Sequence, residues 1–249
     1  MKLRPPIKTH GGFYLSFVIE NFPDNYQSLN YFEPFCAGAS VFFNKEPSVE
    51  ETLADIDSGT IAILKALRDE PNEFVSRLKR TRYTERAFKM AHNKDAKGFE
   101  DYIDHAVNEF ILRKMSKNGM RKTFASQPNE ANAWETIVKQ LSQLSERLQG
   151  VAILCADFKK VLPIWDEENT LIYLDPPRLQ STHLDENSEI CENELTVEDH
   201  IHLLALAKNA RGKVIISGCP STLYNRTLKG WKCKKKAKET RVECIWTNF

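Results

Sequence analysis

The stretch Thr170–Arg178 (TLIYLDPPR) constrains the fold more than any other part of the chain. Its first five residues are apolar, aromatic or β-branched, which is typical of a buried strand in a parallel sheet. Pro176 and Pro177 end that strand, because proline donates no ladder hydrogen bond and restricts the residue before it. The pattern places the Asp175 carboxylate at the carboxyl end of a central strand, the edge where open α/β sheets bind ligands. Spacing alone leaves open the alternative that Asp175 only caps a turn.

The charge of the chain is distributed unevenly, although its net value is only +1 over 249 residues. Lys and Arg number 15 against 10 Asp and Glu in residues 71–150, and 11 against 1 in residues 208–241. Acidic residues instead lead by 12 to 3 in residues 157–199. Basic blocks of this kind favour contact with a polyanion such as nucleic acid, although solvated helix faces also explain many such runs.

The spacing of cysteine and histidine argues against a metal site. The six cysteines are scattered without a Cys-x-x-Cys pair, and His200 and His202 would point to different faces of a predicted helix. The same scatter argues against a disulfide framework and indicates a reducing compartment. No apolar run approaches the roughly 18 residues that span a bilayer, and the amino terminus has no apolar signal core. We therefore expect a soluble cytoplasmic protein without metal or membrane partners.

Apolar runs of strand length alternate with helix-like segments at both ends of the chain, which predicts an α/β domain. The run Tyr31–Phe43 indicates a strand end, a turn of small residues and the start of a helix. Further strands are predicted at Glu51–Asp57, Gly150–Ala156, Lys213–Gly218 and Val242–Phe249, and helices at Gly59–Asp69 and Thr196–Ala210.

The middle of the chain, residues 71–149, has a different character. It is basic and rich in predicted helices, at Glu73–Lys79, Phe99–Lys114 and Ala131–Leu148. We expect it to be an insertion that divides the α/β domain into residues 1–70 and 150–249.

A cationic segment within that insertion predicts contact with phosphates. Residues 110–129 hold five cations and no acid, namely Arg113, Lys114, Lys117, Arg121 and Lys122. Asn118-Gly119 lies among them and is typical of a tight turn. A cationic turn can follow a nucleic-acid backbone and reach into a groove. A plain exposed loop is the alternative.

Small and acidic residues near predicted strand ends favour a cofactor that contains a nucleoside. Ala37–Ser40 and the pair Gly11-Gly12 would let a ligand approach the backbone closely. Asp55 follows such a turn by roughly 20 residues, the spacing at which a carboxylate at a strand end binds ribose hydroxyls. Asp157-Phe158 places a carboxylate beside an aromatic ring, which can hydrogen-bond and stack on adenine. Tight strand–helix packing also explains the small residues.

The motifs and their order resemble those of the Dam-type (D12 class) DNA adenine N6-methyltransferases. The resemblance runs nearly end to end, in the branch where cofactor motifs precede the recognition region and the catalytic motif follows it. It is carried by Lys8-x-x-Gly11-Gly12, Glu33-Pro34-Phe35-Cys36-Ala37-Gly38-Ala39-Ser40-Val41-Phe42-Phe43, Ala54–Asp57, Tyr173-Leu174-Asp175-Pro176-Pro177, Leu195–His200, Gly212–Gly218, Leu223-Tyr224 and Glu243–Phe249.

This resemblance implies a Rossmann-like, seven-stranded sheet that binds S-adenosylmethionine, with a helical, basic insertion that recognises DNA. Asp175, Pro176, Pro177 and Arg178 would form the catalytic turn, in which Asp175 and the Pro176 carbonyl hold the target amine. The implied cofactor-binding residues are Lys8, Thr9, Gly11, Gly12, Phe13, Glu33, Pro34, Phe35, Gly38, Asp55, Asp157, Phe158 and Asp175. The residues expected to bind DNA are Arg113, Lys114, Lys117, Asn118, Arg121 and Lys122.

Four positions depart from the family pattern. Arg178 replaces the aromatic residue, usually tyrosine, that stacks on the extruded base. Phe13 replaces a lysine of the amino-terminal loop, and Cys191 and Cys219 stand where tyrosines are expected. Because a guanidinium plane can also stack on a base, we expect methyl transfer to be retained.

The resemblance therefore predicts a DNA methyltransferase that moves a methyl group from S-adenosylmethionine to the N6 amine of adenine in duplex DNA. We expect a monomer or weak dimer, from a restriction system, phage or mobile element. The alternatives are a weakly active or inactive nucleic-acid binder of the same fold, an N4-cytosine methyltransferase, and an adenine methyltransferase for RNA or single-stranded DNA. A small-molecule methyltransferase is disfavoured because the basic insertion would then lack a purpose.

Overall fold

The computed structural model describes residues 5–7, 14–95, 98–99, 101–126, 130–179, 194–238 and 241–249, and in these ranges all side chains except those of residues 130, 131, 238 and 241. The chain divides into two compact units. The helical unit consists of residues 1–10, 37–44 and 57–153, and the sheet unit of residues 11–36, 45–56 and 154–249.

Seven strands form one sheet, which confirms the predicted α/β fold class. The strands are β1 (Asn30–Glu33), β2 (Glu51–Asp55), β3 (Ala152–Cys155), β4 (Thr170–Leu174), β5 (Lys213–Gly218), β6 (Lys232–Lys238) and β7 (Arg241–Thr247). Their order is β3-β2-β1-β4-β5-β7-β6. Strands β1, β2, β4 and β5 pair in parallel, whereas β7 runs antiparallel to both β5 and β6.

The register of the parallel strands brings their carboxyl ends to one edge. Phe32 of β1 lies opposite Thr52 of β2 and Ile172 of β4, and Leu174 lies opposite Ile216 of β5. Chain order reverses between β1 and β4, because β2 lies on one side of β1 and β4 on the other. In open α/β sheets such a reversal opens a crevice at the carboxyl ends of the strands.

The sheet unit has four helices, and apolar side chains of the last three pack with those of the sheet to form its core. The helices are α1 (Leu15–Ile19), α7 (Phe158–Trp165), α8 (Val197–Lys208) and α9 (Thr222–Thr227). Strand β4 is buried along its whole length, as its continuous apolar run predicts. Ile172, Leu203 and Val214 have no exposed surface, and Trp246 is 2% exposed. Each such side chain contributes about 1.5–3 kcal/mol on leaving water.

The helical unit contains α2 (Ser58–Asp69), α3 (Pro71–Arg80), α4 (Glu85–Asp95), α5 (Tyr102–Met115) and α6 (Glu130–Leu148). Aromatic rings join three of these helices, since Phe110 of α5 packs edge-on against Phe74 of α3 and Trp134 of α6. Four of the helices match predicted segments within a few residues, whereas α4 was not predicted. Among the described residues, no helix is long and apolar enough to cross a membrane.

A buried carboxylate at the centre of the helical unit explains a glycine in α2. Glu109 is 2% exposed and forms ion pairs with Arg113 (2.9 Å) and Arg121 (2.9 Å). A Cβ atom on Gly59 would lie 2.4 Å from the Glu109 carboxyl carbon. Position 59 therefore accepts only glycine without displacing this carboxylate.

The helix predicted to begin after Ala37–Ser40 is not formed. Residues 37–44 make successive turns, with Ala37 at φ 42° and Ala39 at φ 54°. These left-handed backbone angles are unfavourable for a residue with a Cβ atom and interrupt a right-handed helix. The expectation of a helix start at this position was therefore wrong.

Candidate active site

Asp175 stands where the sequence predicted, directly after β4 at the carboxyl edge of the sheet, with its side chain exposed. The Ser217 hydroxyl donates a hydrogen bond to Asp175 Oδ1 over 2.7 Å. Tyr173 Oη lies 3.0 Å from the same Ser217 Oγ. Because a hydroxyl has only one hydrogen, Tyr173 is then the donor to Ser217. A buried chain of hydroxyl groups thus orients the exposed carboxylate.

Opposing influences act on the Asp175 carboxyl group. The surrounding protein raises its pKa above the ordinary aspartate value, because it removes water from the charged form. The hydrogen bond from Ser217 and the positive charge of Arg178 act in the opposite direction. Because the side chain remains exposed, solvent screening limits the net rise and favours the carboxylate form.

A shallow pocket lies beside this turn. It is lined by Pro176, Pro177, Arg178, Leu179, Ser217, Gly218, Cys219 and Tyr224. Tyr224 is otherwise buried, and its hydroxyl lies 2.9 Å from Nδ1 of His200. Burial and the nearby Asp175 charge raise the pKa of Tyr224, while burial lowers the pKa of His200. Both side chains are therefore neutral, and Arg178 is the charged residue among those that line the pocket.

Arg178 forms an ion pair with Glu243 of β7, with Nη2 3.1 Å from Oε2. The Glu243 side chain is 7% exposed, whereas that of Arg178 is 33% exposed. Arg178 is thus bound to the sheet by its guanidinium and is also one of the residues that line the pocket.

The neighbouring strand ends supply the other predicted site residues of the sheet unit. Glu33 and Pro34 are buried at the end of β1, where Glu33 Oε2 accepts a hydrogen bond from Tyr31 Oη over 2.8 Å. Phe35 follows them and is half-buried.

The structure brings Asp55 close to the Asp157 segment. The carbonyl of Asp55, at the end of β2, accepts a hydrogen bond from Ala156 N over 2.9 Å. Both carboxylates are half-exposed, and Asp157 caps α7 by accepting a hydrogen bond from Lys159 N over 2.9 Å. The pair therefore offers two acidic groups at the carboxyl edge, one strand apart.

Phe158 is less accessible than its predicted stacking role suggests. It is 4% exposed and packs against Phe35, with ring centroids 5.2 Å apart. Of these two rings, the half-buried Phe35 presents more surface to a ligand. That Phe158 stacks on a cofactor stays a prediction.

The remaining predicted cofactor residues lie elsewhere in the chain. Gly38 is buried within the 37–44 turns of the helical unit. Outside the described residues are Lys8, Thr9, Gly11, Gly12, Phe13 and Cys191.

The cationic segment forms the expected tight turn. Ser116 and Phe124 make an antiparallel bridge, and Asn118 and Gly119 between them adopt φ angles of 55° and 76°. Lys117, Asn118 and Lys122 are exposed, and neither lysine has an ion-pair partner among the described residues. Arg113 and Arg121 are half-buried and bind Glu109. The exposed charge of the turn is therefore carried by Lys117 and Lys122.

Arg113 also forms a second ion pair within the helical unit. Its Nη2 lies 2.6 Å from Asp57 Oδ2. Burial acts to raise the pKa of Asp57, but Arg113 and the Thr60 backbone N–H outweigh it and the pKa is lowered. Lys114 is half-buried beside Phe110, 6.0 Å from the ring centroid.

Sequence reasoning assigned no role to Ser217, Tyr224 or Glu243. Ser217 follows the residue that pairs with Leu174, so aligning the parallel strands β4 and β5 would have placed it beside Asp175. Glu243 carries no comparable signal, because its contact with Arg178 joins positions 65 residues apart. Among the described residues, no group of His, Cys, Asp and Glu side chains could hold a metal ion.

The sequence profile of the D12 class N6 adenine-specific DNA methyltransferases matches residues 14–239. The chain belongs to this family. A relative, the Type II methyltransferase M.MjaIII of Methanocaldococcus jannaschii, is 23% identical over 275 residues, covering 98% of this chain and 94% of the relative. The family predicted from the motifs is thus confirmed, and this D12-class chain is a DNA methyltransferase.

The D12-class chain is also similar to solved structures, at low sequence identity. Two structures of the rRNA methyltransferase aviRa from Streptomyces viridochromogenes share 11% identity with it. Their TM-scores are 0.42 and 0.43, over 97% and 95% of this chain and 89% and 83% of theirs. A likeness of this degree carries no argument about substrate.

Proposed function

We propose that this D12-class methyltransferase transfers a methyl group from S-adenosylmethionine to the N6 amine of adenine in duplex DNA. The observation that carries the proposal is the exposed Asp175 carboxylate, oriented by Ser217 and followed by Pro176-Pro177 beside an open pocket. A carboxylate next to a backbone carbonyl suits an amine with two hydrogens, because each oxygen can accept one of them.

The groups at the other strand ends fit S-adenosylmethionine. The half-exposed Asp55 carboxylate can accept hydrogen bonds from ribose hydroxyls, and the nearby Asp157 carboxylate can accept one from an adenine amine. Phe35 offers a half-exposed ring beside them. When bound, S-adenosylmethionine supplies a methyl group on a positively charged sulfur.

The protein's own part in the reaction is to prepare the target amine. The amine of adenine is a weak nucleophile because its lone pair is delocalised into the ring. Hydrogen bonds to the Asp175 carboxylate and the Pro176 carbonyl draw the nitrogen toward tetrahedral geometry and localise that lone pair. Asp175 is also placed to hold the proton that the methylated nitrogen releases. Catalysis then consists of positioning and electrostatics.

Duplex DNA is the proposed substrate because of the cationic turn at 116–124. Lys117 and Lys122 are exposed, without an ion-pair partner in the described part of the chain, on a turn whose backbone is held by the Ser116–Phe124 bridge. Such charges bind the phosphate backbone without reading sequence. The target base must leave the stack, since its amine is out of reach inside a duplex. By analogy with M.MjaIII, a Type II methyltransferase, we propose a place in a restriction-modification system.

Methyl transfer from tritiated S-adenosylmethionine to adenine-containing duplex DNA tests the proposal. We expect labelled N6-methyladenine on nucleoside analysis. Asp175→Asn should lower the rate roughly 100-fold or more, as when one pre-organised electrostatic contact to a transition state is removed. The matched variant Asp24→Asn changes an exposed loop carboxylate and should leave the rate unchanged.

The same assay separates the alternatives. Labelled N4-methylcytosine would mean that the amine-holding turn accepts cytosine. Label on single-stranded DNA or RNA, but not on duplex DNA, would mean that the protein does not flip bases. DNA binding without any label at high wild-type concentration would refute the proposed transfer and leave a binding protein.

A further inference from the structure

Arg178 is anchored by a carboxylate that needs a counter-charge. Its Nη2 lies 3.1 Å from Oε2 of Glu243, whose side chain is only 7% exposed. A carboxylate removed from water to this extent is stable only when it is paired or hydrogen-bonded. Breaking the contact would leave the Glu243 charge without one of its cationic partners. The ion pair therefore holds the arginine in place.

Glu243 lies at the edge of the sheet where the catalytic turn begins, so it can bind a residue of that turn. The last paired residues of the antiparallel strands β5 and β7 are Gly218 and Cys244. Glu243 comes one residue beyond that pair, at the same carboxyl edge as Asp175. Strand β6 places Lys236 directly opposite Glu243, so a second cation neighbours the carboxylate.

From this geometry we infer that Arg178 is a positioning residue, which fastens the catalytic turn to β7 through Glu243 rather than stacking on the target base. The contact from Nη2 to Glu243 fixes one end of the guanidinium at the sheet, which restricts where its plane can lie. The turn, with two prolines and an anchored third residue, is thereby held rigid. The consequence for catalysis rests on the proposed function, whereas the tether itself rests on the ion pair.

The Arg178 charge also favours the ionised form of Asp175. The other groups next to that carboxylate are Ser217, which donates to it, and the phenols of Tyr173 and Tyr224. These three are neutral, so Arg178 is the one positive charge among the described residues that act on Asp175. Loss of Arg178 should therefore make Asp175 harder to ionise.

Hydrogen exchange tests the tether without requiring activity. Arg178→Gln and Glu243→Gln should each speed exchange of the amides of Asp175, Arg178 and Leu179 about tenfold, as expected when one local contact is lost. The double variant should exchange no faster than the faster single variant, because both changes remove the same contact. Arg226→Gln, at the exposed end of α9, is the matched control and should have no effect. The inference would be overturned if exchange were unchanged in both single variants. It would also be overturned if the increase in the double variant equalled the product of the two single increases.

Single-turnover methylation tests the consequence. Both single variants should transfer methyl about tenfold more slowly, with affinity for DNA within twofold of wild type, because only positioning is lost. In Arg178→Gln, the methylation rate should also begin to fall at a higher pH on the acid side of its pH profile. Glu243→Gln keeps the arginine and should not show this shift. Arg178→Tyr with undiminished transfer would overturn the inference in favour of stacking. A wild-type protein that transfers no methyl would refute the proposed function, while hydrogen exchange would still decide the tether.

Discussion

Ser217 links the exposed catalytic carboxylate to the buried part of the sheet. It is 2% exposed, donates to Asp175 and receives a hydrogen bond from Tyr173. A hydrogen bond to the charged form of a carboxyl group lowers its pKa. Ser217 therefore both aims the Asp175 carboxylate and keeps it ionised, against the effect of the surrounding protein.

Removal of this hydroxyl should slow methyl transfer and shift its pH dependence. In Ser217→Ala the pKa of Asp175, already raised, should rise further. Because the carboxylate is the active form, the acid limb of the rate should move to higher pH. We also expect a rate about tenfold lower at neutral pH, the effect of one lost hydrogen bond of about 1.4 kcal/mol.

Single-turnover rates measured between pH 5 and 9 provide the check. The matched control is Ser142→Ala, which removes an exposed hydroxyl from α6. An acid limb at the same pH in Ser217→Ala and wild type would contradict this role for the hydroxyl.

Among the elements, α8 shows how local sequence determines a helix start. Thr196 and Asp199 form a capping box, in which each side chain accepts from the other's backbone N–H. Asp199 also forms an ion pair with Lys159 of α7. The hydrogen bond from Lys159 and those from Thr196 lower the pKa of Asp199 to about 2.

This capping interaction should contribute stability that depends on pH. A carboxyl group whose pKa is lower in the folded state stabilises the protein above its unfolded pKa, and that contribution is lost as pH falls through the folded value. Asp199→Asn should therefore reduce the free energy of unfolding by about 1 kcal/mol at pH 7. The difference from wild type should shrink as pH falls from about 4 toward 2.

Urea unfolding at pH 7, 4 and 3 would measure this effect. Glu198→Gln is the matched control, because Glu198 is an exposed neighbour in the same helical turn. A wild-type advantage over Asp199→Asn that is as large at pH 3 as at pH 7 would show that the cap does not depend on the charge.

The basic turn at 116–124 should act through its exposed lysines. We expect Lys117→Gln and Lys122→Gln each to weaken DNA binding equally across sequences and to reduce the slope of log K against log salt by about 1. Fluorescence anisotropy at several salt concentrations is the measurement. Lys139→Gln, exposed on α6, is the control. A salt slope unchanged in both turn variants would place the phosphate contacts elsewhere.

At the scale of the whole molecule, the predicted catalytic turn and the predicted DNA-binding turn fall in different units, although Gly38, a predicted cofactor residue, belongs to the helical unit. The sheet unit contains the catalytic turn together with Phe35, Asp55 and Asp157. The helical unit contains the 116–124 turn, whose conformation is supported by α5 and the Glu109 ion pairs. We propose that the first binds S-adenosylmethionine and the second binds DNA.

Binding of S-adenosylmethionine should therefore raise the thermal stability of the wild-type protein. A ligand that binds only the folded state at 100 times its Kd adds about 2.7 kcal/mol. Asp55→Asn should lose most of this gain, because the amide replaces a carboxylate proposed to bind the ribose. Asp24→Asn should keep it. Differential scanning fluorimetry measures the rise in melting temperature on addition of S-adenosylmethionine. If Asp55→Asn shows the same rise as wild type, Asp55 does not bind the cofactor.

Several features of the fold follow from short-range patterns. The apolar run before Pro176-Pro177 predicted β4 and the place of Asp175, because proline ends a strand irrespective of its neighbours. Thr196 predicted the start of α8 for a similar reason, since capping is a local interaction. Asn118-Gly119 predicted a tight turn because both residues tolerate positive φ angles.

Other features depended on contacts that short patterns do not contain. Glu109 lies one residue before the acid-free segment 110–129 and pairs with Arg113, which was predicted to bind DNA. The segment after Ala37 resembled a helix start, but two alanines adopt left-handed angles instead. Phe158 was predicted to stack on a cofactor, and its packing against Phe35 in the core was not visible from its neighbours in sequence.

The sequence alone thus determined the family, six of the seven strands and the position of Asp175, since these depend on residue type and local periodicity, whereas the lysine-rich strand β6 was not predicted. The tertiary structure decided the surroundings of that carboxylate. Ser217 reaches Asp175 from the neighbouring strand β5, and Glu243 holds Arg178 from the next strand, β7. A hydrogen bond or an ion pair depends on distances of about 3 Å between atoms, and only the folded sheet brings residues this far apart in the chain to such distances.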